Sequence, residues 1–352
     1  MSIELSSYLG AVPAVVEARL RGARRVLAVS HENPDADTLG ATLGVVAIVE
    51  ALGGTADAVC TDPVPPLYGF MPGVERFQMD PTADADYDLL VVSDCGTLDR
   101  IGAVRDRHME LFERLPRVVI DHHASNDGAG EADWIDPGSA ATCEMVALLA
   151  TRLGITFDGE RGRALADALM AGIVMDTATF AHPNATPRTL AVAATLLGAG
   201  AALSDISRRL YRSKPEVQLR LFGRVLDRLE SSDGGRVIWS TLLDADLAAT
   251  GTTPAHSEGI IDLLAQADDA EVSILFKEAG RSTRISVRTK PGGVDATVLT
   301  GRFGGGGHAR AAGATVDLSV EDARPAVLAE AGRLAAEVQR EVQREVPVGR
   351  TG

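Results

Sequence analysis

The sequence predicts an α/β protein with a mostly parallel, Rossmann-like sheet in its N-terminal part, a helical connector, and a smaller C-terminal α/β part with a mixed sheet. Two observations predict this organisation. In the first half, short β-branched runs alternate with helical stretches, which is typical of β–α–β units in a parallel sheet. The length of 352 residues fits two domains better than one. We place the three parts at residues 1–200, 201–230 and 231–346.

The N-terminal part shows four short apolar runs that are typical of buried strands. They lie at Arg25–Ser30, Thr55–Cys60, Tyr87–Asp94 and Arg117–His123. Apolar stretches of helical length lie at about Thr38–Leu52, Ala140–Leu153 and Gly162–Met175. This alternation predicts a sheet that is covered by helices.

The C-terminal part begins after a basic, helix-rich stretch that starts beyond Thr186 and is broken once, at Pro215. We interpret this stretch as the connector. Beyond it we predict a strand, a helix, a hairpin closed near Ala279–Gly280, and a long amphipathic helix at the C-terminus. The strand, the first helix and the last helix are expected at Gly235–Leu242, His256–Ala267 and Val320–Val346.

The composition limits the classes of function. The formal net charge of −15 argues against a protein that coats long nucleic acids, because such proteins neutralise many phosphates. A small phosphorylated substrate remains compatible, since metal ions can supply positive charge locally. The N-terminus lacks the pattern of a secretion signal, and the longest apolar run, around Leu190–Leu203, is too short to span a bilayer. Three widely spaced cysteines predict a reducing, cytoplasmic location, and the shortness of the apolar runs predicts no membrane partner.

Four segments carry acidic and histidine residues in a pattern that suggests chemistry. The first three segments directly follow predicted strands, and the carboxyl ends of parallel strands meet at one edge of a sheet. We therefore expect these side chains to converge in space. The first three segments are SHENPDAD with His31, Asp35 and Asp37, VVSDCG with Asp94, and IDHHASN with Asp121, His122, His123 and Asn126; the fourth is GIVMDTATF with Asp176.

Such a group of carboxylates requires compensating positive charge. Two unit charges about 4 Å apart repel by roughly 4 kcal/mol at an effective dielectric constant of about 20. Divalent metal ions are the simplest compensation. Mixed imidazole and carboxylate ligands suit Mn²⁺, with Mg²⁺, Co²⁺ or Fe²⁺ as alternatives, and the lack of cysteine ligands argues against structural zinc.

Each of these pieces alone also has a purely structural interpretation. An aspartate at a strand end is commonly a helix N-cap or a turn residue, and adjacent histidines can simply pack. Cys95 and Cys143 fit small core residues better than nucleophiles. The combination of all the motifs in one Rossmann-like half favours a metal centre.

These motifs resemble those of the DHH/DHHA1 phosphoesterase family. The four segments resemble the motifs of the DHH domain, and GGGGHARAAGA at Gly304–Ala314 resembles the signature of the DHHA1 domain. The size and layout are most similar to the bacterial NrnA-type branch. One departure is the segment DTATF, where Ala178 stands at a position that is often glycine in the family.

The resemblance implies two divalent ions that activate a water for in-line attack on phosphorus, with Asp94 shared between them. Among the neighbouring residues, His123 would contact the phosphate, Asp121 would orient a histidine, and Asn126 would position its loop or touch substrate. The ion ligands implied are His31, Asp35 and Asp94 for one ion, and Asp37, Asp94, His122 and Asp176 for the other.

The C-terminal part is expected to capture the substrate. Consecutive glycines let backbone N–H groups approach an anion, and we expect a helix to start after them and add a favourable dipole. By resemblance to the family's phosphate-binding strand, Arg288 is the first candidate for a phosphate clamp. The other predicted contacts are Arg284, Gly305, Gly306, Gly307, His308 and Arg310. A clamp at a fixed distance from the ions would favour substrates of two to a few nucleotides.

The resulting hypothesis is a metal-dependent hydrolase of short oligoribonucleotides (nanoRNA), of linear or cyclic dinucleotides such as cyclic-di-AMP, or of 3′-phosphoadenosine 5′-phosphate (pAp). Within the superfamily, an inorganic pyrophosphatase-like enzyme and a single-strand exonuclease are the alternatives. From another class, the alternative is a catalytically inactive module that binds nucleotides or RNA. By family resemblance we also expect a homodimer.

Overall fold

The computed structural model describes residues 4–128 and 132–345, and the chain divides into two compact units, Met1–Ser213 and Lys214–Gly352. The division lies inside the predicted connector, so one of its helices belongs to each unit. The outer limits of the predicted domains, at residues 1 and 346, lie outside the described residues. The assignment of catalysis to the first part and substrate binding to the second stays a prediction.

The first unit is built on a six-stranded sheet in which every pair of neighbours is parallel, in the order β3-β2-β1-β4-β5-β6. This is the strand order of a Rossmann fold, and it confirms the predicted fold class. The strands are β1 (Arg25–Val29), β2 (Thr55–Val59), β3 (Phe77–Gln78), β4 (Leu89–Ser93), β5 (Arg117–Asp121) and β6 (Ala132–Ile135).

Helices cover both faces of this sheet. Because successive side chains of a strand point to opposite faces, each strand contributes residues to two cores. Val26 and Ala28 of β1 enter a core with α2, α5 and α6, whereas Leu27 and Val29 enter a second core with α3 and α4. The helices are α1 (Ala14–Gly22), α2 (Ala36–Ala51), α3 (Ala103–Arg107), α4 (Met109–Arg114), α5 (Thr142–Arg152), α6 (Gly159–Asp176), α7 (Pro187–Gly198) and α8 (Leu203–Tyr211).

Close packing of α2 against α6 depends on a glycine. A Cβ atom at Gly40 would lie 2.4 Å from the carbonyl oxygen of Ala168. The two backbones can therefore approach more closely than alanine would permit. Because α2 carries Asp37 in its first turn and α6 ends at Asp176, this packing sets the distance between two predicted ion ligands.

Within the described residues, no single helix is long and apolar enough to cross a membrane. One pair, α7 and α8, passes the length and composition test only when taken together, and it is bent by 113°.

The second unit contains a mixed sheet, as predicted, with six strands in the order β11-β12-β10-β9-β8-β7. Strands β8 and β9 are parallel, and the other pairs are antiparallel. The strands are β7 (Glu230–Ser232), β8 (Val237–Leu242), β9 (Val272–Ala279), β10 (Ser282–Thr289), β11 (Gly306–His308) and β12 (Ala311–Val316). The helices are α9 (Glu216–Leu226), α10 (Asp244–Thr250), α11 (Ile260–Leu264), α12 (Ala296–Gly301) and α13 (Val320–Glu345).

Two predicted helical features of this unit differ from the structure. The predicted helix at His256–Ala267 is divided into a 3₁₀ turn at Pro254–Ser257 and the short helix α11, because Gly259 between them has a left-handed backbone with φ +89°. The second feature is the helix that was expected after the glycine run. This prediction is wrong.

The residues after the glycine run form the hairpin of β11 and β12 instead of a helix. A Cβ atom at Gly305 would lie 2.1 Å from the carbonyl oxygen of Gly313, and one at Gly307 would lie 2.6 Å from that of Ala311. Both glycines therefore permit close approach of β12. The helix dipole that we expected to act on a phosphate does not exist at this position.

Candidate metal centre

The predicted site residues of the first unit collect at the carboxyl ends of three adjacent strands. His31 follows β1, Asp94 follows β4, and His122 and His123 follow β5 directly. Strands β1 and β4 are neighbours at the point where the strand order reverses, which is where open α/β sheets bind ligands. The topology thus places these side chains in one crevice.

Two groups of donor atoms meet around Asp94. In the first group, His31 Nε2 lies 3.6 Å from Asp94 Oδ2 and 4.0 Å from Asp35 Oδ2. In the second, His122 Nε2 lies 3.4 Å from Asp94 Oδ1 and 3.2 Å from Asp176 Oδ2. The two oxygens of Asp94 therefore face different groups, as expected for a carboxylate shared between two ions.

Further pairings of the same donor atoms complete the centre. The distance from His122 Nε2 to Asp37 Oδ2 is 4.0 Å, and the distance from His123 Nδ1 to Asp94 Oδ1 is 3.6 Å. Within each of three triplets, the donor atoms lie within 4.8 Å of one another. The triplets are His31–Asp35–Asp94, Asp37–His122–Asp176 and Asp94–His122–His123.

Asp94 itself adopts an uncommon backbone conformation, with φ +59°. Left-handed conformations of non-glycine residues cost free energy and concentrate at functional sites. The backbone N–H of Asp94 donates to the carbonyl oxygen of Ile120 in β5, at 2.9 Å. The neighbouring strand thus holds this residue where its carboxylate points into the crevice.

Asp35 combines a structural and a site role. Its Oδ1 atom caps α2 by accepting hydrogen bonds from the backbone N–H groups of Asp37 (2.9 Å) and Thr38 (3.1 Å). Its Oδ2 atom faces His31. The structural interpretation of Asp35 as a helix N-cap therefore holds for Oδ1. Its Oδ2 atom is left for the site.

Asp37 is fully buried, and the start of α5 holds it. Its Oδ2 accepts the backbone N–H of Thr142 at 2.7 Å, and its Oδ1 accepts that of Cys143 at 2.9 Å. These N–H groups belong to the first turn of a helix and have no partner within it. A Cβ atom at Gly172 would lie 2.5 Å from Asp37 Oδ1, so this glycine leaves room for the carboxylate. Sequence reasoning missed both Thr142 and Gly172, since nothing local marks them.

Asp176 is the last residue of α6, and an unusual turn follows it. Ala178, Thr179 and Phe180 all have positive φ, at 47°, 59° and 63°. The backbone N–H of Phe180 donates to the hydroxyl of Thr177 at 2.9 Å. Ala178 stands where the family often has glycine. The backbone nevertheless keeps a left-handed turn here, and this conformation is strained for alanine.

Electrostatics support binding of cations. Burial, followed by the charges of Asp94 and Asp35, raises the pKa of Asp37 well above its ordinary value. Burial and the charges of Asp37, Asp35 and Asp94 do the same to the pKa of Asp176. Burial alone would raise the pKa of Asp94, but the hydrogen bond with His31 and the nearby histidines lower it. The carboxylates thus compete for positive charge, which divalent ions would supply.

The donor set fits divalent ions of intermediate hardness. Imidazole nitrogens and carboxylate oxygens suit Mn²⁺, Co²⁺ and Fe²⁺, and the carboxylates also suit Mg²⁺. Burial raises the pKa of the Cys95 thiol to about 12, so this thiol stays protonated beside the site. Its Sγ–H donates to the carbonyl oxygen of Thr97 at 2.9 Å.

His123, Asp121 and Asn126 form a hydrogen-bonded chain at the edge of the site. His123 Nδ1 lies 2.7 Å from Asp121 Oδ1, and Asn126 Nδ2 donates to Asp121 Oδ2 at 2.7 Å. Asn126 also donates to the carbonyl oxygen of Cys95 at 3.2 Å, which links the loops after β5 and β4. Asp121 is fully buried, and its predicted role in orienting the ring of His123 stays a prediction.

The substrate-binding residues predicted in the second unit have varied surroundings. Arg284 and Arg288 lie on the same face of β10, because they are four residues apart on one strand. Arg284 pairs across the sheet with Lys277, a cation that sequence reasoning missed, and Arg288 forms an ion pair with Asp262 at 2.9 Å. Burial and the neighbouring arginines contribute to a lowered pKa of Lys277.

His308 is the last residue of β11, and Arg310 lies in the turn between β11 and β12. Arg310 donates to the backbone carbonyl oxygens of Lys290 (2.6 Å) and Val294 (3.3 Å), so its guanidinium holds the loop before α12. His308 is exposed, as is Gly306. A role for any of these residues in substrate binding stays a prediction.

This fold and this set of donor atoms correspond to the hydrolysis of phosphate esters with the help of divalent metal ions. The protein is a metal-dependent phosphoesterase. The family model described as "DHH family, N-terminal domain" matches residues 25–173, and the DHHA1 domain model matches residues 234–337. The chain belongs to the DHH family, which confirms the resemblance inferred from its motifs.

Relatives with known names agree with this assignment. A bifunctional oligoribonuclease and PAP phosphatase NrnA of Thermus thermophilus is 33% identical over 82% of this chain and 82% of its own length. The protein of the same name from Bacillus subtilis is 26% identical over 81% of this chain and 87% of its own length. An exopolyphosphatase-related protein from Bacteroides fragilis shares the fold, with a TM-score of 0.84 at 20% identity over 95% of this chain and 98% of that chain.

Proposed function

We propose that this phosphoesterase hydrolyses short oligoribonucleotides, linear or cyclic dinucleotides, or pAp, using two divalent ions, with Mn²⁺ as the first choice. The single observation that carries the proposal is the position of Asp94, whose two carboxylate oxygens each face a separate histidine–carboxylate group. The names of the two NrnA relatives support short oligoribonucleotides and pAp as substrates, and the dinucleotides rest on the resemblance of the motifs.

The chain's own residues would divide the work as follows. His31, Asp35 and Asp94 would hold one ion, and Asp37, Asp94, His122 and Asp176 the other, as the resemblance implied. When bound, such a pair of ions activates water and neutralises charge on the phosphate oxygens. Asp121 would fix the ring of His123 through Nδ1, so that the histidine contacts a phosphate oxygen.

The second unit would bind the rest of the substrate. Arg284 and Lys277 are paired across β10 and β9, and Arg288 lies four residues further along the same face of β10. Arg288 also forms an ion pair with Asp262, so a phosphate that binds there would compete with this carboxylate. We propose that these cations, with the exposed residues of the glycine hairpin, take the distal phosphate or terminal nucleotide.

The cellular setting is also part of the proposal. Cys60, Cys95 and Cys143 are all free and buried, which supports a reducing, cytoplasmic location. The homodimer rests on family resemblance alone.

A hydrolysis panel tests the function. With Mn²⁺ present, we expect turnover of one or more of pAp, pApA, cyclic-di-AMP and a short RNA, and none of pyrophosphate. Asp94→Ala and His122→Ala should each lower kcat/KM by at least about a hundredfold, because each removes an ion ligand. His108→Ala is the matched control, since His108 pairs with Asp80, outside the site.

The same panel can contradict the proposal. Turnover that persists in metal-free protein, or in Asp94→Ala protein, would exclude the two-ion mechanism. Turnover of pyrophosphate alone would favour the pyrophosphatase alternative. Tight binding of RNA without turnover of any substrate would favour the inactive module.

A further inference from the structure

Thr142, the first residue of α5, touches two of the predicted ion ligands at once. Its hydroxyl donates to Asp94 Oδ1 at 2.9 Å, and its backbone N–H donates to Asp37 Oδ2 at 2.7 Å. Thr142 is fully buried, and Asp94 is only 2% exposed. In such surroundings a hydrogen bond to an ionised carboxylate is stronger than at the surface, because water does not compete.

The direction of the hydroxyl bond determines how Asp94 can act. An ionised carboxylate accepts only, so the hydrogen of the hydroxyl must point to Oδ1. Each carboxylate oxygen has two lone-pair positions, and Thr142 occupies one of those on Oδ1. The remaining position on Oδ1 is left for the group around His122, whose Nε2 lies 3.4 Å away. Oδ2, on the side of His31, is not touched by this hydroxyl.

The surroundings of Thr142 keep its hydroxyl in place. As a β-branched residue, threonine has few favourable χ1 rotamers at the start of a helix. The first turn of α5, which contains Thr142, is anchored by buried Glu144, which accepts the backbone N–H of Ala140 at 3.3 Å and forms an ion pair with Arg188. Arg188 also pairs with Asp136, in the loop after β6, at 2.8 Å. The donor is therefore positioned before any ligand binds.

We propose that Thr142 is a positioning residue that aligns the shared carboxylate of Asp94 for the ion held by Asp37, His122 and Asp176. The inference rests on the proposed two-ion site and adds a selective role. Loss of the hydroxyl weakens the binding of this ion more than the binding of the ion at His31 and Asp35, because the hydrogen bond from Thr142 is made to Asp94 Oδ1 alone.

Calorimetric titration of Mn²⁺ into metal-free protein tests the inference, with electron paramagnetic resonance to detect coupling between paired ions. The wild type is expected to bind two ions. Thr142→Val keeps the shape of the side chain and removes the hydrogen-bond donor. It is expected to lower the affinity for one of the two ions by about 10- to 100-fold. The coupling signal between the ions should then be lost at limiting Mn²⁺. Thr142→Ser, which keeps the hydroxyl, should restore two tight sites.

Thr151→Val is the matched control. Thr151 lies in the same helix, and its hydroxyl donates to the carbonyl oxygen of Ala147, away from the carboxylates. It should bind two ions as the wild type does. If Thr142→Val does not fold by circular dichroism, Thr142→Ala is titrated in its place, with the same expected loss.

The possible failures are distinguishable. If the wild type binds two ions and the hydroxyl-free variant binds both with unchanged affinity and coupling, the role of Thr142 is overturned while the proposed function stands. Equal weakening of both ions would also overturn it, because the hydroxyl would then act on the whole fold. If the wild type itself binds no ion pair, the proposed two-ion function fails.

Discussion

At the end of α6, three consecutive residues hold left-handed backbone conformations directly after a predicted ion ligand. Ala178, Thr179 and Phe180 carry side chains that disfavour positive φ, so the turn stores strain. Helix α6 and the packing around the turn supply the energy to keep it. The resemblance suggested glycine at position 178, and the backbone explains why glycine would suit it.

We predict that Ala178→Gly raises the free energy of unfolding by about 1 kcal/mol, since glycine adopts this φ without a Cβ clash. The melting temperature should rise by about 2–4 °C, as measured by calorimetry. Ala181→Gly is the control in the same turn. Ala181 has no left-handed backbone, so its substitution should lower stability or leave it unchanged. A lower melting temperature for Ala178→Gly would show that the turn is not strained there.

At the scale of elements, a buried aspartate joins two helices of the second unit. Asp246 in α10 accepts hydrogen bonds from Arg224 in α9 (2.9 Å) and from Arg228, just beyond α9 (2.7 Å). It also accepts the backbone N–H of Leu243 at 3.1 Å, which caps α10. Burial alone would raise its pKa, but these bonds lower the pKa of Asp246 to about 2.

This contact makes the stability of the second unit depend on pH. A lowered folded-state pKa means that the contribution is complete above the unfolded pKa, near 4, and is lost as the pH falls toward 2. We predict that the contact adds roughly 1–2 kcal/mol to the free energy of unfolding, because the arginines are partly exposed and water screens them.

Denaturant titrations between pH 5 and pH 2 measure this effect. Asp246→Asn should be less stable than the wild type at pH 5, and the difference should shrink toward pH 2. Asp269→Asn, at an exposed position of the same unit, should follow the wild-type curve. A constant difference between Asp246→Asn and the wild type over this range would contradict the assigned shift.

At the scale of the whole molecule, the net charge of −15 opposes long polyanions, whereas the candidate ion centre attracts a single phosphate. Each added nucleotide of a long RNA brings a further negative charge to a protein whose net charge is already negative. A short substrate avoids most of this repulsion. Charge and site together therefore favour substrates of a few nucleotides.

We predict that, with Mn²⁺ at low salt, a dinucleotide is hydrolysed at least about tenfold faster than an RNA of about 24 nucleotides. Added salt should narrow the difference, because ions screen the repulsion. Initial rates measured over a series of lengths and salt concentrations provide the test. Equal rates for the two substrates would remove the predicted length limit.

Residue types and spacing were enough to predict the α/β class, the parallel sheet and the convergence of the acidic motifs. They were enough because alternating apolar runs specify strands and helices locally, and strand ends of a parallel sheet share one edge. His31, Asp94 and His122 could therefore be placed together without coordinates.

Other features depended on contacts between segments far apart in the chain. The hydroxyl of Thr142 reaches Asp94 across 48 positions, and Gly172 gives room to Asp37 from another helix. The glycine run was expected to precede a helix, yet Gly305 serves the close approach of β12. No local pattern encodes such contacts, because they arise only when helices and strands pack. The candidate ion ligands could thus be named from motifs, whereas the residues that hold their side chains in place required the tertiary structure.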